Sequence, residues 1–155
     1  ALGPTRHLMF AKISEFIFGG TRGFNDAETR LLTSVADSLP AQDRDVLRSQ
    51  VNAVRKVQRQ NPGRLVVAYY GERDNVPQLP YPGYEHCLAH VTYKSHGRSK
   101  TTSVVLHNGR FMTFERNVPQ VLEDIEAIQS VLLHPKGFKG VAQEIDADEH
   151  GQGHA

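Results

Sequence analysis

The sequence contains a single cysteine, Cys87, among 155 residues. An intramolecular disulfide is therefore excluded, and a reducing compartment, with the cytoplasm as the default, is the expected location. Long apolar runs are also missing, since the apolar stretch at residues 8–18 is interrupted by Lys12 and Glu15. Because a membrane-spanning helix needs about 20 apolar residues, we expect neither a membrane span nor a signal-peptide core.

Motifs for catalysis and cofactor binding are equally scarce. The sequence has no Gly-rich phosphate loop, no set of cysteines at zinc-finger spacing and no G-x-S-x-G nucleophile elbow. Motifs alone therefore predict no catalytic residue, no cofactor and no metal ligand.

What the sequence does have is an uneven distribution of charge. The formal net charge is +1, yet residues 1–43, 44–116 and 117–155 carry −1, +7 and −5. A basic middle can bind a polyanion, and an acidic end can shield a basic face of its own molecule. The plainer interpretation is that a solvated sheet face and a solvated helix face differ in sign.

Helical periodicity marks three N-terminal segments and one segment near the C-terminus. The four segments are residues 5–18, 25–39, 41–60 and 117–132. The second one begins with a capping box, because Asn25 is followed three residues later by Glu28. The sequence thus predicts three N-terminal helices and a C-terminal helix.

The pattern between these helices favours β-strands, with β-branched and aromatic residues between turn signals. The expected strands are residues 64–70, 87–95, 101–107 and 110–116. Asn108-Gly109 joins the last two and is a strong hairpin signal, because a type I′ turn needs positive φ at both central residues. The predicted fold is α+β: three helices, a four-stranded antiparallel meander and a last helix.

We expect residues 1–140 to form one domain, a normal size for a single core. Residues 141–155 are acidic, carry His150 and His154, and lack an apolar stripe. This tail is expected to be disordered.

The stretch His86-Cys87-x-x-His90 raises the question of a reactive or metal-binding site. In a regular strand neighbouring side chains point to opposite faces, so Cys87 is expected to share a face with neither histidine. His86 and His90 would lie about 13 Å apart, too far to hold one metal ion. A core-facing thiol is usually inert. We therefore favour a structural, buried Cys87 over a nucleophile or a metal ligand.

Strand pairing predicts a sheet face with a basic rim around apolar side chains, the basic-rimmed face. The hairpin at residues 108–109 is expected to pair Val105 with Met112, and a loop is expected to pair Ser95 with Lys100. The residues expected to bind a partner, on this face or in the loop beside it that contains Arg98 and Lys100, are His90, Lys94, Arg98, Lys100, His107, Arg110, Met112 and Phe114. The alternative is that a helix covers the face.

Three functions remain open from the sequence. The leading hypothesis is a non-enzymatic binding or regulatory domain that recognises a protein or another acidic partner through the basic-rimmed face. The second is a nucleic-acid or other polyanion binder that uses the basic segment 44–116. The third is a small hydrolase or ligand-binding enzyme built on His90, His107 and Arg110. Binding driven by phosphates would weaken steeply with salt, which separates the second hypothesis from the first.

Overall fold

Two α-helices and six β-strands make up the part of the chain that the structure describes. The structure is a computed structural model and describes residues 20–60, 63–81, 83–117 and 121–134. The elements are α1 (Asp26–Ser38), α2 (Ala41–Ala53), β1 (Lys56–Gln60), β2 (Leu65–Tyr69), β3 (Glu85–Ser95), β4 (Arg98–His107), β5 (Arg110–Arg116) and β6 (Ala127–Leu133). The predicted first helix and the predicted tail lie outside the described residues.

The six strands form one antiparallel sheet in the order β1-β2-β5-β4-β3-β6. Strands β3, β4 and β5 form consecutive hairpins at its centre. The β1–β2 hairpin adds to β5, and β6 adds to β3. Neither described helix is long and apolar enough to cross a membrane.

This architecture contradicts the predicted arrangement of three helices, four strands and a last helix. The predicted third helix, residues 41–60, ends at Ala53. Val54 is already extended, and the backbone N–H of Arg55 donates to the Tyr69 carbonyl at 2.8 Å. Pairing with β2 therefore turns the rest of that segment into β1, although its apolar spacing also fits a helix.

The predicted C-terminal helix is wrong as well, because residues 127–133 form β6. Ile128, Val131 and Leu133 pack against the core from this strand. The strand also satisfies backbone N–H and C=O groups along β3 that would otherwise lack partners in the sheet. Tertiary pairing thus decides the state of a segment whose local pattern fits both structures.

The predicted second helix is confirmed as α1. The Asn25 side chain accepts from the Glu28 backbone N–H at 2.8 Å, and the Asn25 backbone N–H donates to the Glu28 carboxylate at 2.9 Å. This reciprocal capping box starts the helix. Leu31, Leu32 and Val35 then form its buried stripe.

One face of the sheet, the helix face, packs against both helices. Val104 and Leu106 of β4 and Tyr93 of β3 are completely buried on this face. They share the main hydrophobic core with Leu31 of α1 and Leu47 of α2. The core therefore lies between the helices and one side of the sheet.

The predicted Asn-Gly hairpin is confirmed. Asn108 and Gly109 both have positive φ, 48° and 72°, and the turn places His107 opposite Arg110. These dihedrals are those of a type I′ turn, whose twist matches that of the flanking strands.

The register beyond this turn differs from the expected one. A bulge shifts β5 so that Val105 lies opposite Thr113, and the half-buried Met112 is the extra residue. The expected Val105–Met112 pair is therefore wrong. As a result Phe114 lies opposite Val104 on the helix face and is completely buried.

The β3–β4 connection is also tighter than expected. Ser95 pairs with Arg98, and His96 and Gly97 form a two-residue turn with φ of 49° and 73°. The expected pairing of Ser95 with Lys100 is therefore wrong, since the chain reverses two residues earlier.

Candidate metal centre

A β-bulge in β3 brings Cys87 and His90 to the same side of the sheet. Cys87 lies opposite Val105, and His90 lies opposite Ser103, two residues away on the same side of β4. Leu88 is the extra residue of the bulge. The expectation that Cys87 and His90 point to opposite faces holds for a regular strand and is therefore wrong here. We call this side of the sheet the far face.

The segment after β6 supplies a third potential ligand, His134. Its backbone N–H donates to the Leu88 carbonyl at 2.9 Å. Its ring Nε2 is hydrogen-bonded to Nδ1 of His90, and the ring planes meet at 85°. One ligand atom each from Cys87, His90 and His134 lies within 4.8 Å of the others. We call these three residues the Cys-His-His cluster.

Burial determines the protonation of the cluster. It lowers the pKa of His134, and burial together with the neighbouring His134 lowers the pKa of His90. Both imidazoles are therefore neutral near pH 7, which is the form that binds metals. Burial also raises the pKa of Cys87 to about 11, so without a cation its thiol stays protonated.

Two carboxylates belong to the same far face. Glu85 lies opposite His107, and Glu115 lies opposite Ser103. Burial, and then the charge of Glu85, raise the pKa of Glu115, and both carboxylates add to the raised pKa of Cys87. The surroundings of Cys87 are therefore electrostatically negative, and a bound cation would offset this charge.

The spacing between Cys87 and Nε2 of His90 fits a tetrahedral zinc ion. Zn–S and Zn–N bonds of about 2.3 and 2.0 Å place sulfur and nitrogen about 3.5 Å apart in such a site. The observed distance between Cys87 Sγ and His90 Nε2 is 3.9 Å. Thiolate and imidazole are also the donors that zinc prefers. Three protein ligands leave one coordination position for water or another ligand.

The structure does not gather the eight predicted partner-binding residues on one face. His90 and Lys94 lie on the far face, four residues apart on β3. Lys100 lies opposite Tyr93, so it belongs to the helix face, where Phe114 is completely buried. The expected basic-rimmed face is therefore split between the two sides of the sheet.

The tip of the β3–β4 hairpin, where Arg98 is exposed, lies beside the acidic segment that precedes β6. Lys94 Nζ is 4.0 Å from a Glu126 carboxylate oxygen, and His96 Nε2 is 3.9 Å from one of Asp124. The acidic side chains thus offset part of the positive charge expected to attract a polyanion.

The three residues of the expected hydrolase site are not brought together. His107 and Arg110 lie opposite each other, and Arg110 Nε donates to the Val76 carbonyl at 3.0 Å. His90, opposite Ser103, lies four residues further along, which corresponds to about 13 Å. Of this trio, His90 belongs instead to the Cys-His-His cluster.

The sequence offers one signal for the cluster, the Cys87-x-x-His90 spacing. Cys87 and His90 become neighbouring ligands only because of the bulge, and no glycine or other turn residue at that point of the sequence predicts a bulge. His134 gives no signal because it becomes a neighbour through the β3–β6 pairing. Glu85 lies two residues before Cys87 on β3, whereas Glu115 of β5 becomes a neighbour only through the order of the strands.

Comparisons of the chain with protein-family models, with curated proteins and with solved structures found no match. In the described residues, the fold and site define a protein with an antiparallel sheet that carries two helices on one face and a Cys-His-His cluster on the other. Inference about function therefore starts from the chemistry of that cluster.

Native Cys87 should react with iodoacetamide far more slowly than Cys87 of the denatured chain. Its side chain is 2% exposed, and its pKa is about 11 against an ordinary 9.0. Two pKa units mean about a hundredfold less thiolate at neutral pH, so the rate should fall by at least that factor. Mass spectrometry of samples labelled with and without urea measures it, and equal rates would contradict the burial of this thiol.

Proposed function

We propose that the protein is a zinc-binding domain that holds one ion through Cys87, His90 and His134. The observation that carries this proposal is the convergence of their ligand atoms within 4.8 Å, although the residues come from two distant parts of the sequence.

The electrostatics of the cluster support the same proposal. Neutral His90 and His134 can bind zinc without losing a proton, whereas the Cys87 thiol must release one. The nearby carboxylates Glu85 and Glu115 oppose formation of an isolated thiolate and favour an incoming cation. Zinc affinity should therefore fall as the pH falls, because protons compete for all three ligands.

Cobalt(II) provides the direct test, because a cobalt–thiolate bond produces a charge-transfer absorption that histidine or carboxylate binding does not. The full-length wild-type protein should develop this band at one equivalent of cobalt and lose it when zinc is added. Cys87 is the only cysteine in the chain, so the band identifies its source without ambiguity.

Cys87→Ser is the matched control, since it keeps the size of the side chain and removes the thiolate. The band should disappear, and zinc affinity should fall by at least about tenfold, the loss seen when even an outer contact of a metal ligand is removed. Histidines elsewhere, such as His150 and His154, could still bind cobalt weakly but without this band. Wild-type protein with no thiolate band at saturating cobalt would refute the proposal.

A further inference from the structure

The two ends of the segment that contains β6, residues 121–134, differ in how many contacts they make with the rest of the fold. Before the strand, the Asn25 side chain donates to the Leu122 carbonyl at 2.9 Å, and Arg30 donates to the Ile125 carbonyl. Both contacts come from the start of α1, which belongs to the core. Side-chain hydrogen bonds therefore hold this end of the segment against α1.

The other end of β6 depends on its neighbour β3. Leu122, before the strand, is completely buried, whereas Val131 and Leu133 are only half-buried against the core and Leu132 is 60% exposed, so this end of the strand buries less apolar surface. The last described backbone contact is the bond from His134 N–H to the Leu88 carbonyl in the β3 bulge. Elements that bury few apolar contacts open locally at low free-energy cost, so this end should open most readily.

We infer that zinc bound at the proposed site fastens the C-terminal end of β6 to β3; this inference rests on the proposed zinc site. Zinc thereby regulates whether this edge strand stays paired in the sheet. Cys87 and His90 belong to β3, whereas His134 follows β6, so one ion would cross-link the two strands. Zinc held by all three ligands binds the closed arrangement alone and shifts the equilibrium towards it. Opening would expose one edge of β3, a strand of 11 residues.

The inference predicts a gradient of protection along the segment. Among residues 131–134, the backbone amides that face β3, such as that of His134, should exchange with solvent at least about tenfold more slowly with zinc than without it. Amides of residues 122–126 should change much less, because Asn25 and Arg30 already hold them. Amide exchange of the full-length protein, followed residue by residue by NMR, measures both regions in one experiment.

His134→Ala separates the inference from the zinc site itself. This variant keeps Cys87 and His90, so it should still give the cobalt–thiolate band at a higher cobalt concentration. It should show no zinc-dependent protection at residues 131–133, because the ligand that follows β6 is gone. Equal protection in this variant and in the wild type would overturn the inference.

Two outcomes in the wild type have distinct meanings. A thiolate band with unchanged exchange at residues 131–134 would overturn the strand-fastening role and leave the zinc site intact. A missing thiolate band would refute the zinc site, and the strand-fastening role with it.

Discussion

Zinc at a thousand times its dissociation constant is expected to stabilise the wild-type protein by about 4 kcal/mol. This corresponds to a rise of roughly 10 °C in melting temperature for a chain of this size. The physical reason is that folding brings the ligand atoms of Cys87, His90 and His134 within 4.8 Å, whereas in the unfolded chain His134 is separated from His90 by 44 positions. Thermal unfolding followed by circular dichroism, with zinc or with a chelator, measures the difference.

Two histidine variants test whether this stabilisation comes from the cluster. His134→Ala should lose most of the zinc-dependent rise, because one of three ligands is gone. His96→Ala should keep it, since His96 is an exposed histidine in the β3–β4 turn, outside the cluster. The shift is compared within each variant, so a change in the stability of the metal-free protein does not affect the reading. A full rise in His134→Ala would place the stabilising ion elsewhere.

Glu28→Ala should destabilise the protein by about 3 kcal/mol, near the lower end of the cost of breaking a buried ion pair. The Glu28 side chain is fully buried and forms two bonds with Arg59, Nε to Oε1 at 2.7 Å and the terminal nitrogen to Oε2 at 2.8 Å. The same carboxylate accepts from the Asn25 backbone N–H in the capping box. Alanine therefore removes one of the two bonds of the capping box and leaves the largely buried Arg59 without this carboxylate.

Asp37→Ala is the matched control for Glu28→Ala, because Asp37 also lies on α1 and also pairs with an arginine. Its bond to Arg48 is 2.9 Å long, but both side chains are more than half exposed. This change should cost less than about 1 kcal/mol. Glu28→Gln, which keeps the shape and can still cap the helix, should fall between the two. Urea unfolding measures all three, and a Glu28→Ala cost as small as that of Asp37→Ala would contradict the role of burial.

Features encoded by a few neighbouring residues were predictable. The capping box of Asn25 and Glu28 starts α1 as expected, and the turn at Asn108-Gly109 closes the expected hairpin. Both signals act through the backbone of the residues that carry them, so distant parts of the chain have little influence on them. The burial of Cys87 was predictable too, from its place in an apolar strand.

The states of β1 and β6 were not predictable, because their apolar residues fit both a helix and a strand. Val57 is completely buried in β1, and a helical stripe through the same residue would bury it too. A helix and a strand differ in where the backbone hydrogen bonds go. In the structure the backbone of β1 pairs with β2, and that of β6 pairs with β3. The partner of β6 is distant in sequence and cannot be identified from a local pattern, and β1 pairs with the next strand although its own apolar spacing fits a helix equally well.

The amino-acid sequence by itself determined the capping box of Asn25 and Glu28, the Asn-Gly turn, the three central strands and the absence of an intramolecular disulfide. Only the tertiary structure decided that Cys87 and His90 share a face and that His134 joins them. The physical reason is that a single extra residue in β3 reverses the side on which the following residues lie, and strand pairing sets which distant residue becomes the neighbour. Neither the bulge nor the strand pairing can be predicted from the residues that form the cluster.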